Sequence, residues 1–198
     1  MHVSEGVLSA PILIAGAALT VGGVAVGLRK MDYERLPQVA VLSSVFFVAS
    51  LIHVPIGPSA AHLVLSGLCG LILGWTAFPA ILVGLSLHSL LFQFGGITTL
   101  GVNTFNMAFP AVLLGFVFRS GMASPSKIVR GASDFAVGAG SIMCSALLVA
   151  LCLAVSGEAF FAAAQVVVAV HAPVMIVEGI LTIFVVEFVR KVRPQMLS

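Results

Sequence analysis

Long apolar stretches broken by short polar interruptions run through the whole chain. Seven of them read as helices of membrane length: residues 7–28, 37–54, 60–74, 77–95, 103–118, 132–155 and 166–189. Each approaches the ~20 residues that cross a hydrocarbon core as a helix. The third is short, and little more than Trp75 and Thr76 separates it from the fourth. The pattern predicts an all-α, polytopic membrane protein with seven transmembrane helices, organised as one domain over residues 1–198. Composition agrees: 60% of residues are hydrophobic, 8% are charged, and mean hydropathy is +1.21. A soluble core of this size cannot hide so much apolar surface.

Charge placement orients the helices. All nine Lys and Arg fall in three clusters, namely Arg29, Lys30 and Arg35, then Arg119, Lys127 and Arg130, then Arg190, Lys191 and Arg193. They follow spans one, five and seven, so seven crossings place all three on one side, which the positive-inside rule makes cytoplasmic. The opposite side carries residues 1–6, the turn at 55–59 and the loops at 96–102 and 157–165, without a Lys or Arg. The N-terminus is therefore expected outside and the C-terminus in the cytoplasm. Merging spans three and four would put Arg29 and Arg119 on opposite faces. No basic tract suggests nucleic acid.

The polar groups carry the chemistry. The chain opens Met1-His2 with no basic leader region or cleavage site, and a bulky second residue is expected to keep Met1 in place. The Met1 amine, the His2 amide nitrogen and the His2 imidazole can close a five- and then a six-membered ring around one metal ion. Copper(II) and nickel(II) favour such tetragonal nitrogen fields. One corner stays open for a ligand from elsewhere. His53, at the outer end of span two, and His62, expected on the first turn of span three, lie at the right depth. His62 is the better candidate, because a helix start holds its side chain on a defined vector.

Intramembrane polar groups are costly and usually functional. His88, in span four, is a candidate to support a ligand imidazole through a hydrogen bond. Asn103 belongs to an uncharged loop, residues 95–110, with Thr98, Thr99, Thr104 and Asn106, which reads as re-entrant or lid-like. Ser4 or Glu5 is placed to cap the first helix. His171 and Glu178 share one face of span seven, either as a relay or to fix helix packing. Cys69, Cys144 and Cys152 match no thiolate metal site. Small residues at Ala18/Gly22 and Gly23/Gly27 offer close helix packing or a docking face.

The stretches MHVSEGVLS, PSAAHLVLSGLCGLILG, FGGITTLGVNTFNMAFP and HAPVMIVEGILTIFVVEFVRKVRP reach from one end of the chain to the other. They resemble the substrate-capture (S) subunit of energy-coupling-factor nickel and cobalt transporters, the NikM/CbiM type. The resemblance implies seven helices in the cytoplasmic (inner) membrane of a prokaryote, with the N-terminus folded into the bundle. It also implies metal ligands from Met1, His2 and His62. Partners would be a transmembrane coupling subunit, cytosolic ATPase subunits and a small accessory membrane subunit, since the chain has no G-x-x-x-x-G-K-[ST] loop.

The expected function is capture of nickel(II), with cobalt(II) also accepted, at the outer face for ATP-driven uptake. The chain is expected to be no enzyme and to need no organic cofactor. His53, His88 and Asn103 would support the ligands, and the histidines favour nickel. The rivals are a cobalt(II)-specific subunit of the same type, and a proton-coupled carrier using His171 and Glu178. A metalloenzyme would need an open coordination position and a general base, and no HExxH occurs. Vitamin capture would need an aromatic pocket, yet there is one Trp and one Tyr.

Overall fold

The computed structural model describes residues 2–56 and 59–197, with the side chains of residues 53–56 and 59–61 outside the description. Helix α1 spans Ala10–Arg29, α2 Leu36–Ala49, α3 Ser66–Leu73, α4 Ala77–Phe92, α5 Leu100–Val117, α6 Arg119–Met122, α7 Lys127–Ser156 and α8 Phe161–Val192. Among the described residues, five helical stretches are long and apolar enough to cross a membrane: Ala10–Arg29, Ser66–Phe92, Leu100–Val117, Lys127–Ser156 and Glu158–Val192. Phe46, Phe78, Ile81, Met107 and Ile142 fill the interior, while Ile14, Val21, Leu90, Phe116 and Phe184 face outward. An apolar exterior is what a bilayer demands.

The stretch Ser66–Phe92 joins α3 to α4 and doubles back. As one straight helix its 27 residues would separate its ends by roughly 40 Å. Yet His62, just before it, and His88, near its end, both lie against His2, at ring-centroid distances of 4.9 and 5.3 Å. The reversal falls at Gly74, whose φ of +53° is open to glycine and disfavoured for other residues.

The segment before α3 departs from the all-helical expectation. Residues His53–Ile56 (β1) and Ser59–His62 (β2) pair antiparallel, with His53 opposite His62. His62 therefore ends a strand instead of opening a helix. Leu65 sits at φ +54°, and the Val64 and Leu65 amides are engaged by Glu178 of α8. A helix cannot start until the chain is past that point, at Ser66.

Helix α1 also starts later than its hydropathy suggests, at Ala10, with Pro11 in its first turn. Ser9 occupies the cap position without a side-chain bond, so neither Ser4 nor Glu5 caps it. The buried stripe Gly16, Thr20, Gly23 and Gly27 packs inward, and the Thr20 hydroxyl donates to the Gly101 carbonyl at 2.6 Å. Ala18 and Gly22 face outward. Of the two small-residue pairs, one is spent on internal packing and one is left on the surface.

The basic clusters gather at one end. Lys30, Arg35, Arg119 and Arg190 line a single cavity of about 510 Å³ there. Arg190 grips the buried Asp134 of α7 through two hydrogen bonds, 2.6 and 3.0 Å, and pairs with Glu187 at 2.9 Å. His171, whose field reaches His62, lies about 28 Å from Arg190 along α8 at ~1.5 Å rise per residue. The histidines and the cations are thus separated by about one hydrocarbon thickness.

Candidate metal centre

Three elements bring imidazoles together. His2 comes from the N-terminal segment, His62 from the end of β2, and His88 from α4. The His2 and His62 rings lie face to face, with planes 26° apart, and His88 meets His2 edge-on at 81°. His62 and His88 are buried.

The N-terminal segment is held from both sides. The Asn103 side chain accepts the Val3 N–H at 3.0 Å and donates to the Val3 carbonyl at 3.1 Å. This pair of hydrogen bonds to one residue mimics a strand pairing and fixes the main chain next to His2. Asn103 also donates to the Thr99 hydroxyl at 3.3 Å. Asn103, Thr104 and Asn106 sit in the first turns of α5 and are buried, so the polar cluster expected in a loop is partly helical. The loop before α5 crosses the N-terminal segment. Thr98 donates its N–H to the Glu5 carboxylate at 3.2 Å. Gly95, at φ +80°, brings its backbone to the Asn103 amide and the His2 Cβ, 3.0 and 3.6 Å from where its own Cβ would lie.

Hydrogen bonds define two ring tautomers. A carbonyl can only accept, so the His62 contact to the Leu63 carbonyl at 3.0 Å requires a proton on Nδ1 and directs the lone pair onto Nε2. His88 donates from Nε2 to the Phe47 carbonyl at 2.9 Å, which leaves Nδ1 as an acceptor. His88 Nδ1 and His2 Nε2 are both buried without a hydrogen-bond partner among the described residues. Burial holds the His2 imidazole well below the usual histidine range, and the N-terminal ammonium, His62 and His88 push the same way. His62 is depressed likewise, chiefly by burial and then by the N-terminal charge. Both rings are neutral at pH 7, the form that ligates.

Among the described residues, no three His, Cys, Asp or Glu side chains are arranged to hold an ion by themselves. Met1 lies outside the described residues, as does the His53 side chain, although the His53 backbone pairs with that of His62. His171 donates from Nδ1 to the Val167 carbonyl at 2.7 Å, and no hydrogen bond joins it to Glu178 among the described residues. The sequence named Asn103 and His88 but not the groups they bind, and it missed the bond from Glu178 to the strand end. The one local signal for that bond is an acid in the middle of an apolar span.

A multi-pass helical membrane protein with a buried histidine cluster at one end is the architecture of a membrane metal-handling protein. Residues 2–196 match the model of the CbiM family, described as "Cobalt uptake substrate-specific transmembrane region", and the chain belongs to that family. It is 41% identical over 202 residues to a "Putative metal transport protein" of Haemophilus influenzae, covering 100% of this chain and 97% of that protein. It is 38% identical over 114 residues to the "Fused nickel transport protein NikMN" of Rhodobacter capsulatus, covering 54% of this chain and 33% of that protein. The fold matches the crystal structure of a transition metal transporter, with a TM-score of 0.78 and 25% identity over 97% of this chain and 93% of that one. The chain is thus a multi-pass protein of the prokaryotic cell membrane, in a family of cobalt and nickel transport proteins.

Proposed function

We propose that the whole chain, residues 1–198, is one capture unit that binds nickel(II), and cobalt(II) second, at the outer face of the membrane. The ligands are the Met1 amine, the His2 amide nitrogen and imidazole, and His62 Nε2. The observation that carries this reading is the stacked His2–His62 pair at 4.9 Å, with the His62 lone pair directed onto Nε2. Two of the four donors are main-chain nitrogens, so the ion does not need three side chains. Four nitrogens in a plane suit nickel(II), whereas zinc(II) prefers a tetrahedron.

His88 supports His2. A His2 ring ligating through Nδ1 carries its proton on Nε2, and His88 Nδ1, without a partner among the described residues, is the acceptor beside it. Asn103 holds the segment in register, and His53 is the reserve ligand.

The chain crosses the membrane seven times in this reading, with the N-terminus outside and the C-terminus in the cytoplasm. The reversal between α3 and α4 and the gathering of basic residues at the opposite end support it. The inner-membrane protein works within an energy-coupling-factor transporter. A transmembrane coupling subunit, cytosolic ATPases and an accessory membrane subunit complete it, and ATP hydrolysis resides in those partners. The fused nickel transport relative supports such an assembly.

The test is nickel titration of untagged protein against protein carrying one extra N-terminal residue. The extension displaces the amine from its ring and is expected to abolish binding, and the untagged nickel complex should be diamagnetic. Full binding by the extended chain would refute the chelate.

A further inference from the structure

We propose that Glu178, deep in α8 and outside the histidine cluster, is a positioning residue that holds His62 where it can ligate. The inference rests on the reading of His62 as a metal ligand.

Glu178 is buried, 1% exposed. Among the described residues no Lys or Arg pairs with it. Its carboxylate goes instead to backbone: Oε1 accepts the N–H groups of Val64 and Leu65, and Oε2 also accepts from Leu65 at 3.0 Å. These amides precede the first turn of α3, where N–H groups lack helical partners. The capping acceptor therefore comes from another helix, more than a hundred residues away.

The captured segment is the one that carries the ligand. Val64 is fully buried and Leu65 sits at φ +54°, a left-handed conformation that a leucine holds only when its surroundings dictate it. His62 is two residues upstream and spends its Nδ1 proton on the Leu63 carbonyl, inside the same segment. Ring and backbone therefore move together. Glu178 is itself anchored: the Thr182 hydroxyl donates to its carbonyl at 2.7 Å, and the adjacent Gly179 packs against Phe135 of α7. Without the carboxylate, the buried Val64 N–H and the part-buried Leu65 N–H lose their acceptor and the β2–α3 junction is released from α8.

The role requires an acceptor at Oε1 and no negative charge, which makes it separable from an ion or proton function. Gln keeps that oxygen for both amides and gives up only the second acceptor of Leu65, Leu fills the volume without it, and Asp falls one methylene short.

The experiment measures nickel affinity by calorimetry on the untagged full chain for E178Q, E178L, E178D and H62A. It also records the visible d–d band at saturating nickel and the melting temperature without metal. Partners of metal ligands typically contribute about 10–100-fold in affinity. We expect a loss of that size and a shifted band in E178L and E178D, with E178Q within about threefold of wild type, on that same scale. Should E178L fail to fold, E178D against E178Q decides. E178L or E178D binding like wild type while H62A does not would overturn the positioning role, as would E178Q losing as much as the others. H62A binding like wild type would overturn the ligand reading beneath it.

Discussion

Replacing Asn103 by Ala removes a side chain that meets both polar groups of Val3, accepting its N–H at 3.0 Å and donating to its carbonyl at 3.1 Å. Val3 and Asn103 are buried, 4% and 2% exposed, so water does not readily replace the lost partners. A buried polar group left without a bond costs about 1–3 kcal/mol, and two such groups give about 2–6 kcal/mol. The segment can avoid that cost by undocking, at the expense of the His2 position. A shift of about 3 kcal/mol changes the docked-to-undocked ratio by roughly 150-fold. Apparent affinity falls with the docked fraction, so the ratio sets a ceiling, and a loss of about 10–100-fold in nickel affinity is expected from it. Asn103→Asp keeps the acceptor for the Val3 N–H but turns a second acceptor toward the Val3 carbonyl, and should lose a similar amount. Calorimetric titration of both variants, alongside their melting temperatures without metal, measures this. Affinity within twofold of wild type for Asn103→Ala, or near-normal binding by Asn103→Asp, would refute the bracket.

His62→Ala should abolish nickel binding, whereas His88→Ala, which removes only the acceptor beside His2, should cost about 10–100-fold. Equal, mild losses in a titration would point to His53 as the fourth ligand. Acid should weaken the metal-free fold. His2 and His62 are held below the usual histidine range by burial, so below about pH 6.5 the unfolded chain binds more protons than the folded one and stability rises with pH. The melting temperature should therefore fall from pH 7 to pH 5, less steeply in His62→Ala, and a flat profile would contradict neutral buried imidazoles. Nickel binding should release protons and weaken over the same range, which calorimetry in buffers of different ionisation enthalpy reads directly.

Hydropathy alone determined that this chain lives in a membrane, because its apolar residues have no other place to go. Each of the seven apolar stretches contains helix, and the punctuation at Gly74 and Gly95 is visible as glycine. Met1 and His2 stood out as a chelating terminus, His62 as its fourth donor, and His88 and Asn103 as polar groups in an apolar setting. What the sequence left open was direction and partnership. An apolar run reports that a segment is buried and is silent on what lies beside it, so residues 60–65 read as a helix start although β pairing holds the chain extended up to His62 and the Glu178 carboxylate engages the next two amides, of Val64 and Leu65. Short apolar runs are compatible with strand or helix, and here the deciding acceptor lies on α8. The same holds for Asn103 with Val3, His88 with the Phe47 carbonyl, and Arg190 with Asp134. Each bond joins residues far apart in the chain, and no local periodicity encodes it. The fold-back at Gly74 then brings His62 and His88 to His2, and that meeting is a property of the tertiary structure alone.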